Sequence, residues 1–151
     1  MDIASLRQQF AAAFPDVGLQ GAFVSRAPGR VNLIGEHTDY NDGFVCPMAI
    51  DRSTVVLGVP RTDGRVRLHS AITGAMTEFR IDREVSKGGA PWSLYARGVA
   101  EALRQRAGIT RGFYGVVDST VPLGGGLSSS ASFEVAVALA LLRANQKTLP
   151  L

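Results

Sequence analysis

Apolar residues keep helical spacing in three places along the chain, and between them the period drops to two. Ile3, Leu6, Phe10 and Phe14 form one face of a helix that Asp2 can cap and Pro15 stops. The segments "AFVSRA", "RVNLIG", "FVCPMAI" and "STVVLGVPR" read as strands, with a crowd of polar residues between the second and third. "GRVRLHS" alternates through Val66 and Leu68, and "MTEFRI" follows a Thr-Gly turn, so these two predict a hairpin. "KGGAPW" marks a loop, after which Tyr95, Val99, Ala102 and Leu103 give an amphipathic helix closed by Gly108. "GFYGVVDS" is a further strand, and a helix apolar on nearly every face runs from about Ser129 to Asn145. Helix, strands, helix, strand, helix predicts an α+β domain, with helices on one side of a mixed, largely antiparallel sheet.

Composition narrows the class of function. The chain of 151 residues is 46% hydrophobic and 19% charged, as a globular domain is. Its net charge of +3 comes from single basic residues interleaved with acids, without the clusters that nucleic-acid binding requires. Cys46 is the one cysteine, so no internal disulfide forms and a reducing compartment is expected. "MDIASLRQQFAAAF" lacks the apolar run of a signal peptide, and "VAVALALL" is too short to span a bilayer. A cytoplasmic protein that engages neither nucleic acid nor membrane is the expectation.

Two stretches carry candidate chemistry. In "VPLGGGLSSSAS", between an apolar strand and an apolar helix, successive glycines permit positive φ and close approach of a ligand. The serines then fall at a helix N-terminus, where unpaired N–H groups and the macrodipole favour an anion. A serine hydroxyl there can also meet a magnesium ion. This is no Walker loop, because Leu127 and Ser128 follow Gly126 where Lys-Ser or Lys-Thr would be needed, and Ser129 replaces the third glycine of a dinucleotide fingerprint. A phosphate cradle and a flexible turn with serine caps both fit the spacing.

The other stretch is "APGRVNLIGEHTDYNDG". Glu36 and Asp39 carry carboxylates that can accept hydroxyl hydrogens, the usual grip on a polyol. Arg30 can neutralise charge on a phosphoryl group or lower the pKa of a nearby hydroxyl. His37 alone reads more readily as a structural hydrogen-bonder than as a catalyst, and Asn41, Asp42 and Gly43 read as a hairpin turn. A single histidine here defines no metal site.

Together the two stretches resemble the galactokinase branch of the GHMP small-molecule kinases. "PGRVNLIGEHTDYN" resembles the galactokinase signature, "PLGGGLSSSAS" the phosphate loop of the superfamily, and "W-x-x-Y-x-R-G-V" at Trp92–Val99 is a softer third match. The resemblance implies the GHMP-kinase N-terminal fold, like domain 2 of ribosomal protein S5, over residues 1–151. It implies ATP and Mg2+ as cofactors and galactose as substrate, phosphorylated at its C1 hydroxyl, in a family whose full-length chains are monomeric. Arg30 would lie beside the reacting anomeric hydroxyl and stabilise the transition state, and Glu36, His37 and Asp39 would hold other hydroxyls. Gly124, Gly125, Gly126, Leu127, Ser128, Ser129 and Ser130 would wrap the ATP phosphates, with Ser130 the magnesium contact. Trp92 would lie near the adenine, or be a core aromatic that anchors its helix.

The catalytic aspartate and the magnesium-binding carboxylate of the resembled family are expected downstream of the phosphate loop, and "ANQKTLPL" contains no acid. The chain looks like the first part of a galactokinase and is expected to be inactive alone. A galactose-binding module without turnover, and part of an N-acetylgalactosamine kinase, are the alternatives.

Overall fold

The computed structural model describes residues 2–35, 37–38 and 40–148. Helix α1 (Ile3–Ala13) starts where Asp2 accepts a hydrogen bond from the Ala4 N–H at 3.0 Å. Five strands follow: β1 (Phe23–Asn32), β2 (Pro47–Pro60), β3 (Arg65–Ser70), β4 (Met76–Arg80) and β5 (Phe113–Ser119). Helix α2 (Ser93–Ala107) lies between β4 and β5, and α3 (Ser129–Ala144) follows β5. The strands form one mixed sheet in the order β1-β2-β5-β3-β4, antiparallel except for the β3–β5 pair.

The α+β class and the β3–β4 hairpin are as the pattern predicts, but the strands are longer. β1 joins "AFVSRA" to "RVNLIG" through an irregularity in register between Pro28 and Arg30. β2 likewise joins Pro47–Ile50 to "STVVLGV", while Phe44–Cys46 stay outside it.

The pattern predicts helices on one side of the sheet, but helices cover both faces, because the apolar face of the N-terminal helix has its own strand residues to bury against. α2 and α3 pack on one face, over Phe23, Val56, Val66, Leu68 and Phe113. α1 covers the other, placing Leu6, Phe10 and Phe14 on Val55, Leu57, Val59, Tyr114 and Val116. Two-sided burial is why the middle of β2 is an unbroken apolar run and not an alternating one.

α2 departs from the expected stripe. Its buried face is Ser93, Ala96, Arg97, Ala100 and Leu103, whereas Tyr95 and Ala102 point outward. Small residues let the helix lie close to its neighbours, and hydrogen bonds satisfy Arg97 there. In α3 the alanines Ala136, Ala140 and Ala144 are buried against the sheet side, and the Ser25 hydroxyl of β1 donates to the Ala136 carbonyl at 2.8 Å. Val135 and Leu139 stay exposed on the outer side of this nearly all-apolar helix.

Glu101 ties the segment before α2 to the helix itself. It accepts from Arg104 Nε at 2.8 Å, from Gln105 Nε2 at 2.6 Å and from the Val85 N–H at 3.1 Å. These bonds, Arg104's foremost, lower its pKa from 4.5 to about 2. A carboxyl depressed on folding stabilises the fold above its unfolded pKa, and that contribution fades as pH falls through the folded value. Urea midpoints of Glu101→Gln should therefore lie below wild type at pH 7 and converge with it as pH falls from about 4.5 towards 2. A constant gap across that window would assign the effect to packing and not to the charge.

Candidate active site

The end of the sheet that carries both polar segments is a two-stranded ribbon. β5 pairs with β2 only from Thr54 to Pro60, so the first half of β2 has β1 as its partner. Past the end of β1 the ladder continues, with Leu33 N–H donating to the Cys46 carbonyl at 2.9 Å and Cys46 N–H to Ile34 at 3.0 Å. Thr38 shapes the loop beyond. Its hydroxyl lies 2.6 Å from the Gly35 carbonyl oxygen and 3.1 Å from that of Phe44. Its own carbonyl accepts from the Asn41 and Gly43 amides at 3.0 and 2.9 Å.

His37 sits in this loop at φ 66°, with Asn41 Nδ2 donating to its carbonyl at 2.7 Å. Its ring Nδ1 is hydrogen-bonded to the Tyr40 hydroxyl, which fixes the exposed imidazole and leaves Nε2 as its remaining polar atom. The turn role expected of Asn41, Asp42 and Gly43 is seen in these bonds and in Asp42 at φ 54°. Glu36 and Asp39, the expected hydroxyl acceptors, lie outside the described residues.

The glycine loop leaves β5 and enters α3. Gly124 and Gly126 hold φ 71° and 69°, and among the described residues no atom beyond their chain neighbours lies within 4 Å of where a Cβ would stand on either. Positive φ, with open space above, is what glycine supplies here. Ser128 precedes α3 at φ 57° and makes no side-chain cap bond to it. The first amides of the helix thus lack that cap, and its positive end faces outward.

The two segments meet at one point. The Arg30 N–H donates to the Leu127 carbonyl at 3.2 Å. At Gly29 an added Cβ would stand 2.9 Å from that same oxygen and 3.0 Å from Ile50 Cδ1, so only glycine fits. Ser132, buried one turn into α3, donates to the Ala27 carbonyl at 2.9 Å and accepts from the Thr54 N–H at 3.2 Å. The start of α3 is thereby pinned to both strands of the ribbon.

Beside the junction is a cavity of about 320 Å3 whose wall includes Trp92, Tyr95, Leu123, Ser129, Ser130 and Phe133. Its size is that of a small-molecule site. Trp92 packs edge-to-face on Phe133, 6.0 Å between centroids, and its buried Nε1 has no hydrogen-bond partner among the described residues. The Trp92 ring is at once a core contact and cavity wall. No carboxylate lines this cavity, and no cluster of three His, Cys, Asp or Glu occurs among the described residues. The residues present suit phosphate oxygens. For magnesium they offer the Ser130 hydroxyl, and phosphate and water would complete the shell.

The structure thus brings Trp92, Ser129 and Ser130 to one cavity and Arg30 to the glycine loop, while His37 stays on the neighbouring loop. Reading the sequence alone does not mark Gly29, Thr38, Ser132 or Phe133. For Gly29 a signal existed: a glycine inside a strand marks a bulge or a close backbone approach.

Residues 8–60 match the galactokinase galactose-binding signature, and residues 94–151 match the GHMP kinases N terminal domain. The chain is 48% identical to the galactokinase of Roseiflexus sp. (strain RS-1) over 138 residues, 91% of this chain and 34% of that one. It is 51% identical to the galactokinase of Chloroflexus aggregans over 123 residues, 82% of this chain and 32% of the relative. The chain therefore spans about a third of the length of these relatives. Among solved structures, Lactococcus lactis galactokinase complexed with galactose superposes with a TM-score of 0.85 at 37% identity, over 98% of this chain and 38% of that one. A mevalonate kinase at 20% identity, with a TM-score of 0.73 over 85% of this chain and 42% of the other, shares the fold.

Gly29→Ala should open the junction, because the new methyl must displace the Leu127 carbonyl or Ile50. Exchange of the Arg30 amide, followed by NMR in deuterated water, should quicken by about tenfold or more. An unchanged rate would show that the contact does not hold the loop.

Proposed function

As the chain belongs to the galactokinase family of GHMP kinases, we propose that it supplies the galactose grip and the ATP-phosphate loop of a sugar kinase. The reaction is transfer of the γ-phosphoryl group of ATP to the C1 hydroxyl of galactose. The observation that carries this reading is the Arg30–Leu127 bond, which sets the sugar signature directly against the glycine loop. Two substrates held on either side of that bond would be neighbours, and phosphoryl transfer depends chiefly on positioning and charge stabilisation.

In this reading the Gly124–Ser130 amides and the N-terminus of α3 receive phosphate oxygens. Trp92 and Phe133 form the apolar wall for the base of the nucleotide. Arg30 faces the gap between the substrates and offsets charge on the transferring group. Glu36, Asp39 and His37 accept or donate to the sugar hydroxyls. Magnesium, held by Ser130 and the phosphates, would neutralise charge on the β- and γ-oxygens. The proton of the C1 hydroxyl needs an acceptor, and none lines the cavity among the described residues. With Glu36 and Asp39 engaged as hydroxyl acceptors, the 151-residue chain binds without turning over.

Calorimetry with galactose, and a coupled assay for galactose-dependent ADP release with Mg-ATP, test this on the 151-residue chain. Saturable galactose binding with no ADP above the sugar-free background is expected. A clear rate would reveal a base inside these residues, with Asp39 the first to mutate. A folded chain that ignores galactose, or prefers N-acetylgalactosamine in competition, would overturn the assignment of substrate.

A further inference from the structure

Arg97 is buried, 8% exposed, on the face of α2 turned to the sheet. Its guanidinium bonds to neutral oxygens throughout. Nη2 reaches the Glu78 carbonyl at 2.8 Å and Thr77 Oγ1 at 3.3 Å, both on β4. Nη1 reaches the carbonyl and the hydroxyl of Ser86, at 3.2 and 3.1 Å. Nε lies 3.5 Å from Ser93 Oγ, and the group stacks 4.8 Å from the centroid of Phe79. Burial lowers its pKa from the ordinary arginine value, yet a guanidinium remains charged. A buried charge with this many directed bonds fixes the geometry of whatever it bridges.

What it bridges is the sheet and the segment leading into the cavity wall. Ser93, the neighbour of Trp92, donates through its hydroxyl to the Ala90 carbonyl at 2.7 Å and through its N–H to the same oxygen at 2.8 Å. Gly89, exposed at φ 91°, passes so close that a Cβ there would stand 2.9 Å from Ser93 Oγ and 3.1 Å from Arg97 Nη2. The path from β4 through Arg97 to Ser86 and Ser93 therefore ends at Trp92, whose ring forms cavity wall and whose position no side-chain cap of its own secures.

We propose that Arg97 is a positioning residue for nucleotide binding, clamping residues 86–93 to β4 so that Trp92 stands in the cavity wall. The inference rests on the reading that this cavity takes the base of ATP. It goes further in assigning the affinity of that subsite to a buried side chain that is not among the cavity's lining residues. Lysine would be a poorer substitute, because its single ammonium lacks the planar fork that meets Ser86 and β4 from two separate nitrogens.

Trp92 is the only tryptophan, so its emission reports this position directly. Mg-ADP is titrated into the 151-residue chain by fluorescence, and galactose by calorimetry, for wild type, Arg97→Met and Gly89→Ala. Expected are a saturable change in wild-type emission and a red shift of the ligand-free variants. Mg-ADP binding should weaken about tenfold while galactose binding stays within about twofold. Gly89→Ala displaces the clamp from the solvent side and decides the matter if Arg97→Met fails to fold. A wild-type response that the variants share unchanged overturns the role of Arg97 and leaves the cavity reading standing. Equal loss of both ligands reduces Arg97 to a general structural part, which also overturns it. A wild-type emission indifferent to Mg-ADP overturns the cavity reading, and this inference falls with it.

Discussion

One backbone hydrogen bond, from the Arg30 amide to the Leu127 carbonyl, sets the separation of the two polar segments, and much of the fold serves to make it possible. The bond requires β1 to bring its backbone against the glycine loop, which a side chain at position 29 would prevent. It requires the break in register at Gly29, which turns that stretch of strand out of the regular ladder. It also requires α3 to start in a fixed place. Ser132 and Ser25 provide this by bonding helix to strands through short polar side chains, where larger apolar ones would hold the two apart.

The glycines near the site answer to different constraints. Gly29 is glycine because protein backbone occupies the space where a Cβ would go. Gly124 and Gly126 meet no described residue beyond their neighbours there and are glycine because of their left-handed backbone. A close-packed glycine fixes a junction, and an open, exposed one leaves room for a ligand. The same contrast separates the covered sheet from its rim, where Leu33, Ile34, Phe44 and Leu123 stand exposed around the ribbon and the loop. Segments with so few buried contacts open most readily, and binding loops are drawn from that part of a structure.

Much of this was legible in the sequence. Period and punctuation placed every helix, the hairpin and β5, because Asp2, Gly108 and the Thr-Gly turn act locally. Strand lengths were less legible. Pro28-Gly29 reads as a break, and only pairing with β2 shows that the chain crosses it as a bulge. The buried face of α2 was hidden because a side chain as polar as Arg97 goes inward only when several acceptors from distant segments converge on it, and no window of local sequence contains them. The site was legible as two motifs but not as one place. Trp92, Ser129 and Ser130 share a cavity through tertiary packing alone, and Thr38 gives no sign in the sequence that it organises the loop around His37.

The electrostatics of the cavity divide the proposed reaction into two parts. A helix N-terminus presents about half a positive charge, and the described wall holds no carboxylate to oppose it. Such a site favours phosphate, and in the proposed reading it supplies the positioning and the positive charge on which phosphoryl transfer chiefly depends. The same absence of carboxylates that favours the anion leaves the sugar's proton without an acceptor in that wall. A base placed there would repel the incoming γ-phosphate, so in the proposed reading grip and base are carried by different residues. In that reading these residues form the gripping wall, and its affinity for each ligand is set independently of the chemical step.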